Sequence, residues 1–587
     1  MMSLSKDQQI LHLLNRASFG PVPGDVERVR QMGLDAFLEE QLHPEKIDDS
    51  AVEERLAKLP TLSMSSSELI DNFPPPRQAG KKGQDNNRRR QREMAGEAPA
   101  DVQMNSMEAA SPEDRQTMRE QERLESIDGP RRIIVELSRE ELWRAVYSRR
   151  QLQEVMVQFW MNHFNIYARK GADKWLLTSF ERDTIRPRAI GNFEDLLVAT
   201  AKSPAMLFYL DNWMSAAPQL EQAESAEHGN GASHPANEFS RNVGPRFEQV
   251  ALAGGEPQRP IWNRQFGRFP RARRMQVRKA KKQRGLNENY GRELMELHTL
   301  GVNGGYTQQD VVEVARCLTG WTIQRPRQDA EFYFNPNMHD YGPKVVLGQK
   351  IRTGGGMEDG LAVLHLLAHH PSTARFISLE MSRRFVSDNP PDSVVDRAAN
   401  TFQESGGDIR QVLQTLFTSP EFYSPTTYRA KVKSPLEFMA SSLRAVGGET
   451  DAGLPLIAAL AKMGEPLFQY EAPSGYADQA NTWINSSSLL WRMNFAMLLA
   501  ANRLPGTKVD LSSWTSTGAS GNAQAVMRQV SERLLGGPPS PGTAKAILDK
   551  GRSGAHIEQA VFSPDEDRSG IATIAGLLLS SPDFQRR

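Results

Sequence analysis

The sequence predicts a mainly α-helical protein: a multi-helix globular bundle with one small β-hairpin and two long polar insertions. Three observations carry this. Helix start signals recur, apolar residues repeat at helical spacing, and few segments alternate with period two. Two long stretches are too hydrophilic to contribute to a core.

In chain order, residues 1–73 read as an N-terminal helical segment. Its start, MMSLSKDQQILHLLNRASFG, lacks a basic n-region, an apolar run and a small-residue cleavage site, so it reads as a helix and not a secretory leader. Residues 74–132, beginning PPPRQAGKKGQDNNRRRQR, form a polar, flexible insertion. Residues 133–214 are the first part of the helical core. There Ser138–Glu141 has the pattern of a capping box, and Leu142, Val146, Leu152, Val155, Met156, Phe159 and Trp160 keep helical spacing. Residues 215–285 form a second insertion, polar and then basic, with ten Lys or Arg between Arg264 and Arg284. It reads as a solvated segment that docks on an acidic face of its own protein; single-stranded nucleic acid is the weaker reading. Residues 286–348 carry two helices, the second opened by Thr307–Asp310 and closed near Gly320. Glu331–Phe334 and Lys344–Leu347 supply the strands of the hairpin. Residues 349–587 are a C-terminal helical region, in which Ser434-Pro-Leu-Glu437 combines an N-cap, an N1 proline and an N3 glutamate. Ser203-Pro204, Ser419-Pro420 and Ser581-Pro582 repeat one turn signature.

At 587 residues, with 71 Lys+Arg against 71 Asp+Glu, the chain carries no formal net charge. Nothing global draws it to nucleic acid or an anionic membrane. No window approaches the ~20 apolar residues of a transmembrane helix. The single cysteine, Cys317, excludes an intrachain disulfide and reads as a small buried thiol. A cytoplasmic location is expected, or a periplasmic or exported one if a leader has been removed.

The candidate site centres on NENYGRELMELHTLGVNGGYTQQDVVEVARCLTGW, Asn287–Trp321. At 100° per residue, Asn289, Glu293 and Glu296 share one face of its first helix. Either these acids pair with arginines such as Arg182, Arg186 or Arg316, or one stays free as a general acid or base or a metal ligand. Arg292 sits four residues before Glu296 and could pair with it. Asp211 is a candidate second carboxylate. His163, His298 and His339, with Asp340, are candidate ligands for a divalent metal, although no HExxH or paired-cysteine spacing is present. Trp160, Asn212, Tyr290 and Trp321 join Asn289 and Arg292 as candidate substrate-binding groups, since flat aromatic faces and amides suit sugar rings. A Walker-type loop and a nucleophile elbow are both lacking.

The same stretch resembles the DUF1800 family, a bacterial family of unassigned function. The resemblance extends through LLNRASFGP, FWMNHFN, AIGNFEDLL, SPAMLFYLDN, HDYGPKVVLG, HPSTARFIS, RRFVSDNPP, GDIRQVL, KVKSPLEF and MGEPLFQYEAPSGYAD. It implies a shared site and often an exported protein. It also implies company with a second family that resembles sulfatases, hence a sulfatase-like partner. The leading expectation is a hydrolase, or a related acid/base enzyme, acting on a bacterial glycan or other polar polymer. In it, Glu293 is the acid/base, Asp211 or Glu296 the second carboxylate, and His163 or His298 a positioning or metal-binding group. The alternatives are a metal-dependent oxidoreductase or hydrolase using the His/Asp/Glu set, and a non-catalytic helical scaffold that binds a partner.

Overall fold

Reciprocal capping boxes open four helices in the computed structural model: Lys6–Ala17 (Ser5 with Gln8), Ser66–Asn72 (Ser65 with Glu68), Gln308–Cys317 (Thr307 with Asp310) and Pro435–Ala445 (Ser434 with Glu437). Each box satisfies two amide N–H groups that a helix start leaves orphaned. The structure describes residues 4–75, 129–217, 285–326, 328, 330–514, 523–552 and 566–587. Most of the two polar insertions, 76–128 and 218–284 with the basic run, lies outside the described residues.

The expected capping box at Ser138 starts nothing. One helix, Arg131–Tyr147, runs through it, and Ser138 Oγ donates to the Ile134 carbonyl. Ile133, Val135 and Leu137 upstream are buried, so packing extends the helix and the serine bonds back to position i−4. The apolar run that follows is divided at Ser148–Arg150, and a second helix occupies Gln151–His163. Gly320 adopts the left-handed φ of 81° expected of a helix stop. It lies two residues past the C-cap, Leu318, and not directly after it. Of the Ser-Pro pairs, Ser203-Pro204 and Ser581-Pro582 start short helices, while Ser419-Pro420 forms only a turn.

The expected strands form, Glu331–Phe334 in full and Lys344–Leu347 as Lys344–Val346, but each finds a nearer partner than the other. Trp321–Gln324 pairs with the first and Gln349–Ile351 with the second, both antiparallel. A third pair, Glu449–Thr450 with Thr507–Lys508, brings the small sheets among the described residues to three. The protein is thus mainly α, with three two-stranded sheets among the described residues where one hairpin was expected.

Two helices pass into π-helical turns: Asp173–Ser179 into Phe180–Ile185, and Glu288–Glu293 into Leu294–Thr299. The second lies inside the candidate site. Widening the turn there ends the 100° register on which the face of Asn289, Glu293 and Glu296 rests. Asn289 is exposed, while Glu293 and Glu296 are half-buried.

The described residues within 1–217 and 286–587 form one unit. A contiguous apolar core runs from Ile10 to Phe584 and draws on each of the helical regions. The Pro435–Ala445 helix is buried at every residue. Ser215 and Asn287 lie together, with the Asn287 N–H donating to Ser215 Oγ at 3.1 Å.

Gly360, in the Met357–Ala368 helix, lies against the fully buried Trp321. A Cβ there would come within 2.5 Å of the indole. Alanine gains roughly 1 kcal/mol of helix propensity, but overpacking a rigid ring costs about 1–3 kcal/mol. Gly360→Ala should therefore lower stability by up to about 2 kcal/mol net, read as a lower urea midpoint at unchanged m-value.

Candidate functional site

An open polar cleft of about 340 Å³ lies where the Gln151–His163 helix, the Leu294–Thr299 turn, the Pro371–Phe385 helix and the loop 464–479 meet. That is within the usual size of small-ligand sites, ~300–1,000 Å³. Six of the family-like segments converge on it. Phe159, Asn162 and His163 come from FWMNHFN, Leu297 from the opening stretch, Phe376 from HPSTARFIS, and Arg383 and Arg384 from RRFVSDNPP. Ser434 comes from KVKSPLEF, and Glu465, Tyr470, Tyr476 and Asp478 from MGEPLFQYEAPSGYAD.

One wall is aromatic. The rings of Tyr470 and Tyr476 lie 4.2 Å apart, and those of Tyr476 and Trp483 5.1 Å apart. Two asparagines of the FWMNHFN segment hold this wall. Asn162 pairs with the Tyr476 backbone in both directions, at 2.9 and 2.8 Å, as a strand would. Asn165 Nδ2 donates to the carbonyls of Tyr470 and Ala472. Gly475 permits the approach: its φ is 64°, and a Cβ would come within 2.2 Å of the Asn162 carbonyl.

The floor is a buried charge network. Arg384 and Arg587 both pair with Glu437, at 2.8 and 2.9 Å, while Lys431 pairs with Asp388 and Asp478, at 2.7 and 3.0 Å. Burial pushes the Asp478 carboxyl up, but Lys431, Arg384 and Arg587 outweigh it and hold it down at about 2. Glu465 behaves oppositely. Burial, with Glu437 nearby, lifts it to about 7 against hydrogen bonds from the Leu436 N–H and Ser434. Glu380 is also raised by burial, against the Arg383 guanidinium at 2.7 Å. His163 is lowered to about 4 by burial. Its Nε2 donates to the His298 carbonyl at 3.2 Å, which leaves Nδ1 as a lone pair without a hydrogen-bond partner among the described residues. A carboxyl that holds its proton near neutrality, as Glu465 does, in the same cleft as a neutral imidazole is the pairing that acid–base chemistry uses.

Of the residues chosen from sequence, His163 lines this cleft; Glu293, Glu296 and Asp211 are not among its lining residues. Glu293 has no ion-pair or hydrogen-bond partner among the described residues, and burial and Glu296 raise its carboxyl. Glu296 accepts from the Tyr306 hydroxyl at 3.3 Å. Arg292 donates to Gln308 instead of Glu296. Nor do the proposed arginine partners reach these acids: Arg182 pairs with Asp183, Arg186 with Glu154 and Glu181, and Arg316 with Glu313 and Asp340. Asp211 pairs with Lys170 at 3.0 Å.

Trp160, Tyr290, Trp321 and Asn212 are buried and lie away from the cleft lining. Trp160 Nε1 donates to the Ala189 carbonyl, and Asn212 Nδ2 to those of Leu318 and Trp321. These large rings serve the core, where their apolar area is worth most.

The expected metal set does not assemble. His298 is lowered to about 3 by burial and by His163. Its ring centre lies 6.1 Å from that of His163. His339 is engaged at both nitrogens, Nδ1 with the Thr319 carbonyl and Nε2 with Asp359, and Asp340 is held by Arg316. Cys317 is buried, and desolvation pushes its thiol up to about 12.

Sequence reasoning passed over Glu380, Glu465 and Tyr470. Glu465 sits in a Gly-, Tyr- and acid-rich loop, a composition that could have marked it. It also passed over His365 and His369, whose i,i+4 spacing was visible. No curated protein and no solved structure matches the chain. The family model described as a protein of unknown function, DUF1800, matches residues 12–586, and the chain belongs to that family.

Proposed function

We propose that the cleft is the active site of an acid–base hydrolase acting on a glycan or another polar polymer. The observation that carries this reading is the meeting of a three-ring aromatic wall with carboxyls raised toward neutrality, in one open cleft built from the family-like segments. Tyr470, Tyr476 and Trp483 would receive a sugar ring on a flat face. Glu465 would donate a proton to the leaving oxygen, and Glu380 would act as the second carboxyl. The chemistry is thereby assigned to the cleft, and the 287–298 helix contributes Leu297 and the carbonyl that orients His163. A sulfatase-like partner fits the same substrate class where the polysaccharide carries sulfate esters.

The test is a panel of bacterial polysaccharides, including peptidoglycan, assayed for new reducing ends. Glu465→Gln and Glu380→Gln should each lower kcat by about 10²–10⁴-fold. Trp483→Ala should act mainly on KM. Failure of the wild-type protein to turn over any polymer would overturn the reading, as would full activity in both glutamine variants.

A further inference from the structure

We propose that Glu194, His365 and His369 form a binding site for a divalent transition-metal ion of the zinc type, separate from the cleft. This goes beyond the hydrolase reading and does not depend on it. Among the described residues, these three are the one group of His, Cys, Asp or Glu side chains whose ligand atoms all lie within 4.8 Å of one another.

His365 and His369 stand one turn apart at the end of the Met357–Ala368 helix, with ring centres 4.5 Å apart. Spacing of four residues puts both imidazoles on one face. Glu194 comes from the first turn of the Phe193–Lys202 helix and meets both rings. Its Oε1 is 3.0 Å from His365 Nδ1, and its Oε2 is 2.9 Å from His369 Nε2. Each carboxylate oxygen thus faces one ring nitrogen. A cation placed among them takes a lone pair from each ring, which then carries its proton on the other nitrogen. Metal–ligand bonds near 2.1 Å set donors on one ion at most ~4.2 Å apart. Small side-chain rotations close the remaining gap.

The carboxylate is held in place. The Glu194 N–H donates to Asn192 Oδ1, while Asn192 Nδ2 donates to the Gly406 carbonyl. The Phe193 N–H donates to the Gly407 carbonyl, and the Ile409 N–H to that of Gly191. This fixes the start of the helix against the turn at 406–409.

Two imidazoles and one carboxylate suit zinc and its neighbours in the transition series. Calcium and magnesium prefer all-oxygen sets. Both histidines are exposed, with side chains 66% and 40% accessible. The remaining coordination positions therefore face water. An ion bound here would join segments 171 residues apart in sequence and would stabilise the folded chain by mass action.

The test uses full-length protein without an affinity tag, stripped by chelator and titrated with Zn²⁺ by calorimetry and with Co²⁺ by visible absorption. One equivalent should bind and raise Tm. The double variant His365→Ala/His369→Ala should lose both effects while keeping the wild-type circular dichroism. Glu194→Gln should weaken binding by more than the ~10–100-fold that loss of an outer-sphere partner produces. Absence of binding to the wild-type protein would reduce the group to a hydrogen-bonded cluster only and overturn the proposal. So would the same stoichiometry and affinity in the double variant.

Discussion

Glu437→Gln should lower the stability of the folded protein by about 3–5 kcal/mol, the range for removing one partner of a buried ion pair. Glu437 is 5% exposed and neutralises two guanidiniums, Arg384 and Arg587, that are 5% and 3% exposed. Glutamine keeps the shape and can still accept the Ser434 N–H that closes the capping box. The charge is lost, and with it the acceptor of both guanidiniums, because the amide then turns its NH2 toward Arg384 and Arg587. Asp478, 3.7 Å from Arg384 and already engaged by Lys431, is poorly placed to replace it. Urea denaturation measures the effect, and a cycle with Arg384→Met isolates its cause. If desolvated charge is the cause, the double variant should be less destabilised than the sum of the singles. A loss below about 1 kcal/mol, the scale of an exposed pair, would mean that the arginines reach water or another acid.

That network illustrates what a sequence conceals. The start of the Pro435–Ala445 helix is legible from Ser434-Pro-Leu-Glu437, because capping is a local matter of four residues. The fate of Glu437 is not legible, since its partners stand 53 residues before it and 150 after it in the chain. The same division applies to Ser138, whose local pattern is overridden by burial of Ile133 and Leu137. Around Glu296 a different limit operates. Periodicity assumes a constant turn, and the π-helical segment from Leu294 breaks it. The opening stretch borders the cleft: His298 supplies the carbonyl that orients His163, and Leu297 lines it. The cleft acids are a product of tertiary burial, which no spacing records. HLLAH shows that His365 and His369 share a face, whereas Glu194 is supplied only by the packing of another helix.

Glu465 should make the protein lose stability as pH rises through neutrality, and Glu465→Gln should abolish that part of the profile. The carboxyl lies at about 7 in the folded chain against an ordinary value of 4.5. Below 4.5 it is protonated in both states, so its contribution is fully present. Between 4.5 and 7 the unfolded chain releases the proton and the folded chain retains it, so stability falls as pH rises, by up to about 1.4 kcal/mol per unit. Above 7 both states are ionised and the loss is complete, of the order of 3 kcal/mol for a shift of this size. Glutamine carries no such proton and can still accept the Leu436 N–H. Its stability relative to wild type should therefore improve between pH 5 and pH 8. Glu181, also raised by burial, tilts both profiles alike and cancels in the difference, whereas Glu141 is raised by burial and in part by Glu465 itself, so its share falls with the Glu465 charge and belongs to the same difference. Asp478 and Glu437 lie below their ordinary values and act at the acid end, where they lose stability as pH falls. A constant difference between the two proteins at pH 5 and pH 8 would place Glu465 at an ordinary value and remove it as a proton donor at neutrality. A difference that grows with pH would mean that the folded cleft holds a carboxylic acid near pH 7, the state in which such a group can protonate a leaving oxygen.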